Sequence, residues 1–316
     1  MAEEISTRKA YGHTLVELAD KNRDIVVLDA DLSPSTMTDL FAAEYPDRFF
    51  DCGIAEQNMM GIAAGLAASG KTVFASTFAV FASGRAYDQV RMSIAQPRLN
   101  VKIVATHGGI SVGEDGFSHH AIEDLALMCS LPNMTVVVPA DANEASQAVR
   151  VAAETPGPFY IRLSRPKTPL IYGEGDRDYR FVIGRAVTMR GGADATVIAT
   201  GIMVEPALRA AETLAKEGFD LRVLNMHTLK PLDEEAVVKA AKETGAILTV
   251  EEHLLQGGLG SRVAPVVAKN HPVPMAFMAI EDRFSSSGKP NELLEQHGLT
   301  AEGIAGQARQ LLSRKG

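Results

Sequence analysis

Residues 50–68 read FDCGIAEQNMMGIAAGLAA, and this stretch decides the fold because it joins a short strand to a helix of small residues. The helix is small and apolar on every face, which is typical of a helix packed on all sides. Glu56 lies in its first turn, where the helix dipole favours a carboxylate but desolvation raises the pKa of the carboxyl. An acid with a raised pKa can donate a proton at neutral pH. The alternative is a capping glutamate on a buried helix.

The bulk composition excludes several classes of function. The chain has 316 residues, enough for two domains, and a net charge of −8 with no basic block, which argues against a nucleic-acid binder. No apolar run approaches the length of a bilayer span, and the start MAEE is unlike a signal peptide. Cys52 and Cys129 have no C-x-x-C spacing, so neither a disulfide framework nor a zinc site is indicated. We therefore expect a reduced, cytoplasmic protein with no nucleic-acid or membrane partner.

Strand and helix patterns alternate through both halves of the chain. Strands are predicted at residues 24–30, 49–51, 71–75, 100–106, 134–138, 159–162, 195–199, 221–225, 246–251 and 275–280. Helices are predicted at residues 8–21, 84–94, 121–129, 142–153, 204–217, 233–243, 260–269 and 300–312, besides the one that begins near Glu56. Continuous apolar strands between helices are typical of parallel sheets covered on both faces. The predicted fold class is therefore α/β, with two domains that each contain a mostly parallel sheet covered by helices.

The alternation breaks at residues 166–179. This segment, PKTPLIYGEGDRDY, contains two prolines, two glycines and mixed charges. Such a composition is typical of a linker at a domain boundary. We therefore predict a first domain at residues 1–165, a linker at 166–180 and a second domain at 181–316.

Candidate site residues follow the predicted strands, where open α/β sheets bind ligands. The densest segment is 106–120, THGGISVGEDGFSHH, with four glycines, three histidines and two acids. Glycines let a backbone approach a ligand closely, and histidines suit proton transfer near neutral pH. The alternative is a mobile surface loop with solvated histidines. A metal site is not predicted, because His119 and His120 are adjacent and tend to point apart.

Two further patterns bear on a cofactor. Phe78 and Phe81 are spaced i, i+3 after a predicted strand, which suits either a ligand contact or ordinary core packing. No G-x-G-x-x-G or P-loop pattern follows a strand, and no G-D-G motif followed by asparagines occurs. The sequence thus indicates no place for a magnesium diphosphate.

Taken together, these motifs resemble the carboxyl-terminal part of the transketolase family of thiamine diphosphate enzymes, a pyrimidine-binding domain followed by the transketolase C-terminal domain. The segment 53–58, GIAEQN, resembles the family's motif around the acid that touches the aminopyrimidine ring. The resemblance implies that Glu56 protonates this ring and that Phe78 and Phe81 pack on it. It also places Asp31 and Leu32 at the cofactor.

The resemblance also implies a binding site for a phosphorylated sugar. His107 and His119 would hold sugar hydroxyls and take part in catalysis, while Asp115 would bind the substrate's α-hydroxyl. The phosphate would be bound by Arg8, Ser35 and Arg165. Two departures stand out: residues 83–85, Ser-Gly-Arg, replace a third aromatic residue, and residues 118–120, Ser-His-His, replace Thr-His-Gln.

In this family the diphosphate and its magnesium lie on a separate domain with a G-D-G motif. The chain resembles the second subunit of a split transketolase, which transfers a two-carbon ketol unit between phosphorylated sugars. The partner would then be an N-terminal transketolase subunit that holds most of the metal contacts, in a heterotetramer. We expect self-association through apolar faces around Met59 and Met60. The alternatives are a deoxyxylulose-phosphate synthase-like subunit, a 2-oxo acid dehydrogenase beta-like subunit, and a non-catalytic assembly subunit.

Overall fold

The computed structural model describes residues 4–172 and 179–315, so residues 173–178 of the predicted linker lie outside the described residues. The strands before them are β1 (Glu4–Ser6), β2 (Ile25–Asp29), β3 (Phe49–Asp51), β4 (Thr72–Phe78), β5 (Val101–Thr106), β6 (Thr135–Val137), β7 (Phe159–Arg162) and β8 (Lys167–Pro169). The helices there are α1 (Thr7–Lys21), α2 (Ser33–Thr36), α3 (Asp39–Glu44), α4 (Glu56–Ala68), α5 (Tyr87–Gln89), α6 (Asp124–Ser130) and α7 (Ala142–Glu154). Wider helical turns flank α5 at Phe81–Arg85 and Val90–Ala95.

The later part of the chain repeats the alternation. Its strands are β9 (Val187–Arg190), β10 (Ala195–Ala199), β11 (Leu221–Asn225), β12 (Thr228–Lys230), β13 (Ile247–Leu254) and β14 (Met275–Ile280). Its helices are α8 (Val204–Ala215), α9 (Glu234–Thr244), α10 (Leu259–Asn270), α11 (Pro290–Gln296) and α12 (Ala301–Ser313).

A seven-stranded sheet in the order β12-β6-β7-β5-β4-β2-β3 organises the first half. All neighbouring strands are parallel except β12, which comes from the later half and runs antiparallel to β6. Successive residues of β2 point to opposite faces, so Leu28 packs on the α4 side and Val27 packs on the side of α1 and α7. Because both faces are covered, all five residues of β2 are buried, and the first four, Ile-Val-Val-Leu, form a continuous apolar run.

A five-stranded sheet in the order β14-β13-β10-β11-β9 organises the later half. Its strands are parallel except β9, which is antiparallel to β11. A third, two-stranded antiparallel sheet pairs β1 with β8, so the residues before α1 lie beside those that follow β7.

The predicted α/β class with two mostly parallel sheets is confirmed. Five strands begin and end where the sequence predicted them, at Phe49–Asp51, Phe159–Arg162, Ala195–Ala199, Leu221–Asn225 and Met275–Ile280. β4 continues to Phe78 because it stays paired with β5 through Thr106, so Ser76 belongs to the strand and not to the following loop. Across residues 4–172 and 179–315, no helix combines the length and the apolar character that crossing a membrane would require.

The expectation that α4 is packed on all sides is wrong. Met59 and Met60 are fully buried, but Gln57 and Gly61 are exposed and Ile62 keeps 37% of its side-chain exposure. The helix therefore covers the sheet with one face and leaves the other free within this chain. Met59 and Met60 themselves fill the core, so the surface around them on α4 is formed by exposed neighbours such as Gly61 and Ile62.

Candidate functional site

The carboxyl ends of five parallel strands bring the predicted site residues to one edge of the seven-stranded sheet. The residues that follow or end these strands are Asp31, Leu32 and Ser35 after β2, Glu56 after β3, Phe78 and Phe81 at β4, His107 after β5 and Arg165 after β7. Arg8 joins them from the first turn of α1. The shared strand direction explains why residues so far apart in sequence lie along one edge.

Glu56 is buried at the start of α4 and forms an ion pair. Its side chain is 4% exposed, and Nη1 of Arg85 lies 3.1 Å from Oε1 and 3.3 Å from Oε2. Arg85 also covers the ring of Phe81, with Cζ 4.1 Å from the ring centroid. A guanidinium at this distance pairs with a carboxylate through charge-assisted hydrogen bonds, a partner that the position of Glu56 in the sequence did not reveal.

Two phenylalanines and two histidines form a continuous aromatic cluster beside this ion pair. The rings of Phe78 and Phe81 are stacked with centroids 5.8 Å apart, and Phe78 stacks on His107 at 3.8 Å. The rings of His119 and Phe81 form an edge-to-face pair with centroids 5.3 Å apart. Phe78 is buried and Phe81 is half-buried. The core-packing interpretation therefore holds for Phe78, while the ring of Phe81 is covered by Arg85, whose side chain is half-exposed.

His107 is held neutral by its surroundings. Burial lowers its pKa to about 3, and the charges of Arg8, Arg165 and His119 act in the same direction. Its Nδ1 lies 2.8 Å from the hydroxyl oxygen of Thr106. A neutral imidazole has one donor and one acceptor nitrogen, so His107 can hydrogen-bond a hydroxyl without carrying charge.

Arg8 and Arg165 place two cations on the same side of His107. Nη1 of Arg8 donates to the backbone oxygen of Ser35 at 2.6 Å, and its Nε has no hydrogen-bond partner among the described residues. Burial and the charge of Arg165 both lower the pKa of Arg8. Two guanidinium groups close enough to repel one another are suited to binding an anion between them.

Arg165 is tethered to the glycine-rich loop, residues 106–120. Its Nη1 donates to the backbone oxygen of Val112 and lies 3.3 Å from Glu114 and 3.8 Å from Asp115. Both acids are exposed. The sequence analysis singled out Asp115 and missed Glu114, for which the only signal was its place next to Asp115.

The segment with Asp31 and Leu32 is held by the acids that end two neighbouring strands, Asp29 of β2 and Asp51 of β3. The backbone N–H of Leu32 donates to Asp29 at 2.6 Å, and that of Asp31 donates to Asp51 at 3.0 Å. Burial raises the pKa of Asp29 to about 6. Asp29 was not predicted as a site residue, although an acid that ends a buried strand is a visible signal in the sequence.

The four glycines of the loop lie close to other parts of the protein. A side chain at Gly108, Gly109 or Gly116 would collide with Arg162, Glu252 or Ser287, respectively, and one at Gly113 would press against Pro290. Arg162 belongs to the first half of the chain, whereas Glu252, Pro290 and Ser287 belong to the later half. The loop therefore packs against both halves of the chain.

His119 and His120 have different surroundings, as their adjacency predicted. His119 is half-exposed beside the aromatic cluster, whereas His120 is buried with Nε2 3.2 Å from the backbone oxygen of Gly113. His120, which stands where the family pattern has Gln, thus connects the end of the loop to Gly113 in its middle.

The donor set suits an aromatic ring and an anion better than a metal ion. Within residues 4–172 and 179–315, no three or more His, Cys, Asp or Glu side chains are arranged to hold a metal. The buried carboxylate of Glu56 and the half-buried ring of Phe81, which Arg85 covers here, match a nitrogen-containing aromatic ring such as the aminopyrimidine of thiamine diphosphate. The unsatisfied Nε of Arg8 matches a terminal anion.

Comparison with known proteins identifies both halves of the chain. Residues 3–170 match the family described as "Transketolase, pyrimidine binding domain", and residues 184–304 match "Transketolase, C-terminal domain". A putative transketolase C-terminal section from Methanocaldococcus jannaschii is 50% identical over 94% of this chain and 93% of its own length. The transketolase of Homo sapiens is 42% identical over 99% of this chain, which spans 50% of the human protein.

A solved structure described as a split gene transketolase, inactive beta4 tetramer, is also similar. It is 51% identical, covers 99% of this chain and 100% of its own, and superposes with a TM-score of 0.92. The chain therefore spans nearly the whole of these C-terminal sections and about half of the single-chain transketolase that it matches.

Proposed function

The chain belongs to the transketolase family, and from this premise we propose that it is the C-terminal subunit of a thiamine diphosphate-dependent transketolase. With a separate diphosphate-binding subunit, it would transfer a two-carbon ketol unit between phosphorylated sugars. The observation that carries this proposal is the buried carboxylate of Glu56 beside Phe81, on the same sheet edge as the paired cations Arg8 and Arg165.

Glu56, Phe78 and Phe81 would bind the pyrimidine ring, and Asp31 and Leu32 would lie at the edge of the cofactor. When bound, thiamine diphosphate supplies the nucleophilic carbon that carries the ketol unit. Glu56 would hold a proton on a carboxylate oxygen and share it with the ring. Its burial excludes water from that oxygen, which strengthens the hydrogen bond.

The substrate would enter beside the histidines. Arg8 and Arg165, with the carbonyl of Ser35 fixing Arg8, would bind the terminal phosphate. His107 and His119 would bind and orient sugar hydroxyls, and Asp115 would accept a hydrogen bond from the α-hydroxyl. The neutral state of His107 supports this role, because an imidazolium next to two arginines would compete for the phosphate.

The partner subunit would hold the diphosphate and its magnesium. Similarity to C-terminal sections of matching length supports a split enzyme, and the beta4 tetramer described for a related structure supports self-association. We propose a heterotetramer, with Ile54, just before α4, and Ile62, on the free face of α4, as contact residues, since they are 75% and 37% exposed. A cytoplasmic location is consistent with Cys52 and Cys129, which are both free.

Reconstitution tests the proposal. The native protein is purified with whatever accompanies it, and the candidate N-terminal subunit is then produced separately and mixed with this chain, thiamine diphosphate and magnesium. Ketol transfer from a phosphorylated ketose should require both subunits, while the chain alone should bind the cofactor weakly and show no transfer. Robust transfer by the chain alone would contradict the split-enzyme proposal.

The same mixture separates the alternatives. Pyruvate replaces the ketose as donor in a parallel assay. Turnover of pyruvate and not of the ketose would favour a synthase-like or dehydrogenase-like subunit. Cofactor-independent assembly without turnover of either donor would favour a non-catalytic subunit.

A further inference from the structure

A buried acid from the later half of the chain supports the glycine-rich loop. Glu252 lies on β13 with 4% exposure, and its Oε1 accepts a hydrogen bond from the backbone N–H of Ser111 at 2.5 Å. Gly109 leaves room for it, because a Cβ there would lie 2.2 Å from the Glu252 carboxyl carbon. Gly109 also has a φ of 81°, which a side chain would strain. The loop and the acid therefore fit each other by shape and by hydrogen bonding.

The turn that contacts Glu252 also contacts Arg165. Ser111 is the middle residue of the helical turn Ile110–Val112. The next carbonyl, that of Val112, accepts the hydrogen bond from Nη1 of Arg165. A shift of the turn away from Glu252 would carry the Val112 oxygen with it and release the guanidinium.

A second contact joins the backbone of Glu252 to Arg162, which ends β7 in the seven-stranded sheet. Nη2 of Arg162 donates to the backbone oxygen of Glu252 at 2.9 Å and to that of Ala121 at 3.0 Å, while its Nε pairs with Asp124. Burial raises the pKa of Glu252, and the charge of Arg162 and the Ser111 N–H oppose this shift. A buried carboxylate is a costly way to fill space, since an apolar side chain of similar volume is often as stabilising. Stability alone is thus a poor reason for an acid here.

We propose that Glu252 is a positioning residue, through which the C-terminal half of the chain sets the place of Arg165 and hence the affinity for the substrate's terminal anion. This inference rests on the proposed function, because it takes Arg165 as an anion-binding residue. It gives the C-terminal half a defined part in substrate binding: Glu252 acts through Ser111 and Val112 and touches no reacting atom.

The test compares three variants in the reconstituted two-subunit enzyme. Glu252→Ala removes the acceptor, Glu252→Asp withdraws it by one methylene, and Glu252→Gln keeps an oxygen that can accept from Ser111. KM and kcat are measured with a phosphorylated ketose and with its unphosphorylated counterpart, and inorganic phosphate is titrated as an inhibitor. Glu252→Ala should raise KM for the phosphorylated donor about tenfold or more and weaken inhibition by phosphate in parallel, because loss of about 1 Å in placement is costly. Glu252→Gln should stay near wild type and Glu252→Asp should lie between them.

Glu251→Ala is the matched control. Glu251 is equally buried on β13, but it accepts from the backbone N–H groups of Leu259 and Gly260 at the start of α10. This variant should lose stability without a KM change specific to the phosphorylated donor. If Glu252→Ala does not fold, Glu252→Asp decides the question.

Arg165→Ala distinguishes the two ways of failing. A KM increase for the phosphorylated donor in Arg165→Ala but not in the Glu252 variants would overturn the positioning role alone. No such increase in Arg165→Ala would overturn the anion site and the inference with it. Equal effects of Glu252→Ala on both donors would show a structural role only and would also overturn the inference.

Discussion

Arg85 donates from Nη1 to both carboxylate oxygens of Glu56, at 3.1 and 3.3 Å, while its guanidinium carbon lies 4.1 Å from the centre of the Phe81 ring. Glu56 and Phe81 are two of the three residues that we propose to bind the pyrimidine ring, the third being Phe78. The guanidinium is flat, cationic and rich in donors, so it satisfies both partners in much the way that a bound ring would. Its 51% exposure leaves it free to turn away.

We first predict that replacing Arg85 by Ala does not weaken cofactor binding in the reconstituted enzyme. The arginine contacts that the cofactor must displace are worth about 1 kcal/mol for a partly exposed pair and ring contact, so the apparent Kd should fall about two- to tenfold. Cofactor titration by fluorescence quenching measures this. Arg91→Ala, an exposed arginine further along the same helical segment, is the control. Weaker binding by Arg85→Ala would instead make Arg85 a cofactor ligand.

The second prediction concerns the proton of Glu56. Glu56→Gln keeps the size and polarity of the side chain but removes the acid, so kcat of the reconstituted enzyme should fall about 10²- to 10⁴-fold. Thermal unfolding should stay close to that of the unchanged chain. The exposed acid Glu44 supplies the control variant Glu44→Gln. Near-normal turnover by Glu56→Gln would exclude the proton-donor role.

The third prediction concerns the cation beside Ser35. Arg8→Gln should cost about 1.5–3 kcal/mol in binding a phosphorylated donor, or about 10- to 150-fold in KM, because a charge-assisted contact is lost. Cofactor affinity should change little. Lys9→Gln removes the neighbouring exposed charge on α1 and should leave KM near its starting value. Equal losses with phosphorylated and unphosphorylated donors would mean that Arg8 does not bind the phosphate.

The fourth prediction concerns acid stability. Folding lowers the pKa of His107 from 6.5 to about 3, so between these values the unfolded chain binds more protons than the folded one. The contribution of His107 to the free energy of unfolding therefore falls as pH falls through this window, by about 1.4 kcal/mol per pH unit at most. When the pH is lowered from 6.5 to 5, the free energy of unfolding should fall by about 2 kcal/mol less in His107→Gln than in the unchanged chain. Urea unfolding at the two pH values measures this difference. The exposed His13 gives the control His13→Gln, and parallel curves for His107→Gln and the unchanged chain would refute the prediction.

The strands were predictable because burial on both faces leaves a direct mark on the sequence. β2 and β7 are short runs of apolar and β-branched residues, and their common direction follows from the helices between them. The gathering of Glu56, His107 and Arg165 at one edge follows from the same rule, since each comes directly after a parallel strand.

Other features of the structure leave no pattern in the neighbouring sequence. The ion pair between Glu56 and Arg85 spans 29 residues, and the contact between Glu252 and Ser111 spans 141, so no pattern of spacing reveals them. The free face of α4 could not be read from composition, because Gly61 and Ile62 are as small or apolar as the residues that face the core. Strand β12 was missed because its three residues, Thr-Leu-Lys, contain a single apolar side chain and carry too little periodicity.

The position of β12 in the first sheet has a consequence during synthesis of the protein, because β12 is made after all the other strands of that sheet. β6 lies at the outer edge of the parallel part of its sheet and gains its last neighbour only from Thr228–Lys230. A nascent chain released as far as the end of the pyrimidine-binding region still presents β6 as an open edge, on which a neighbouring nascent chain can add a strand. If the first region is expressed alone, β6 lacks its partner β12, and we expect this open edge to make the region prone to aggregation.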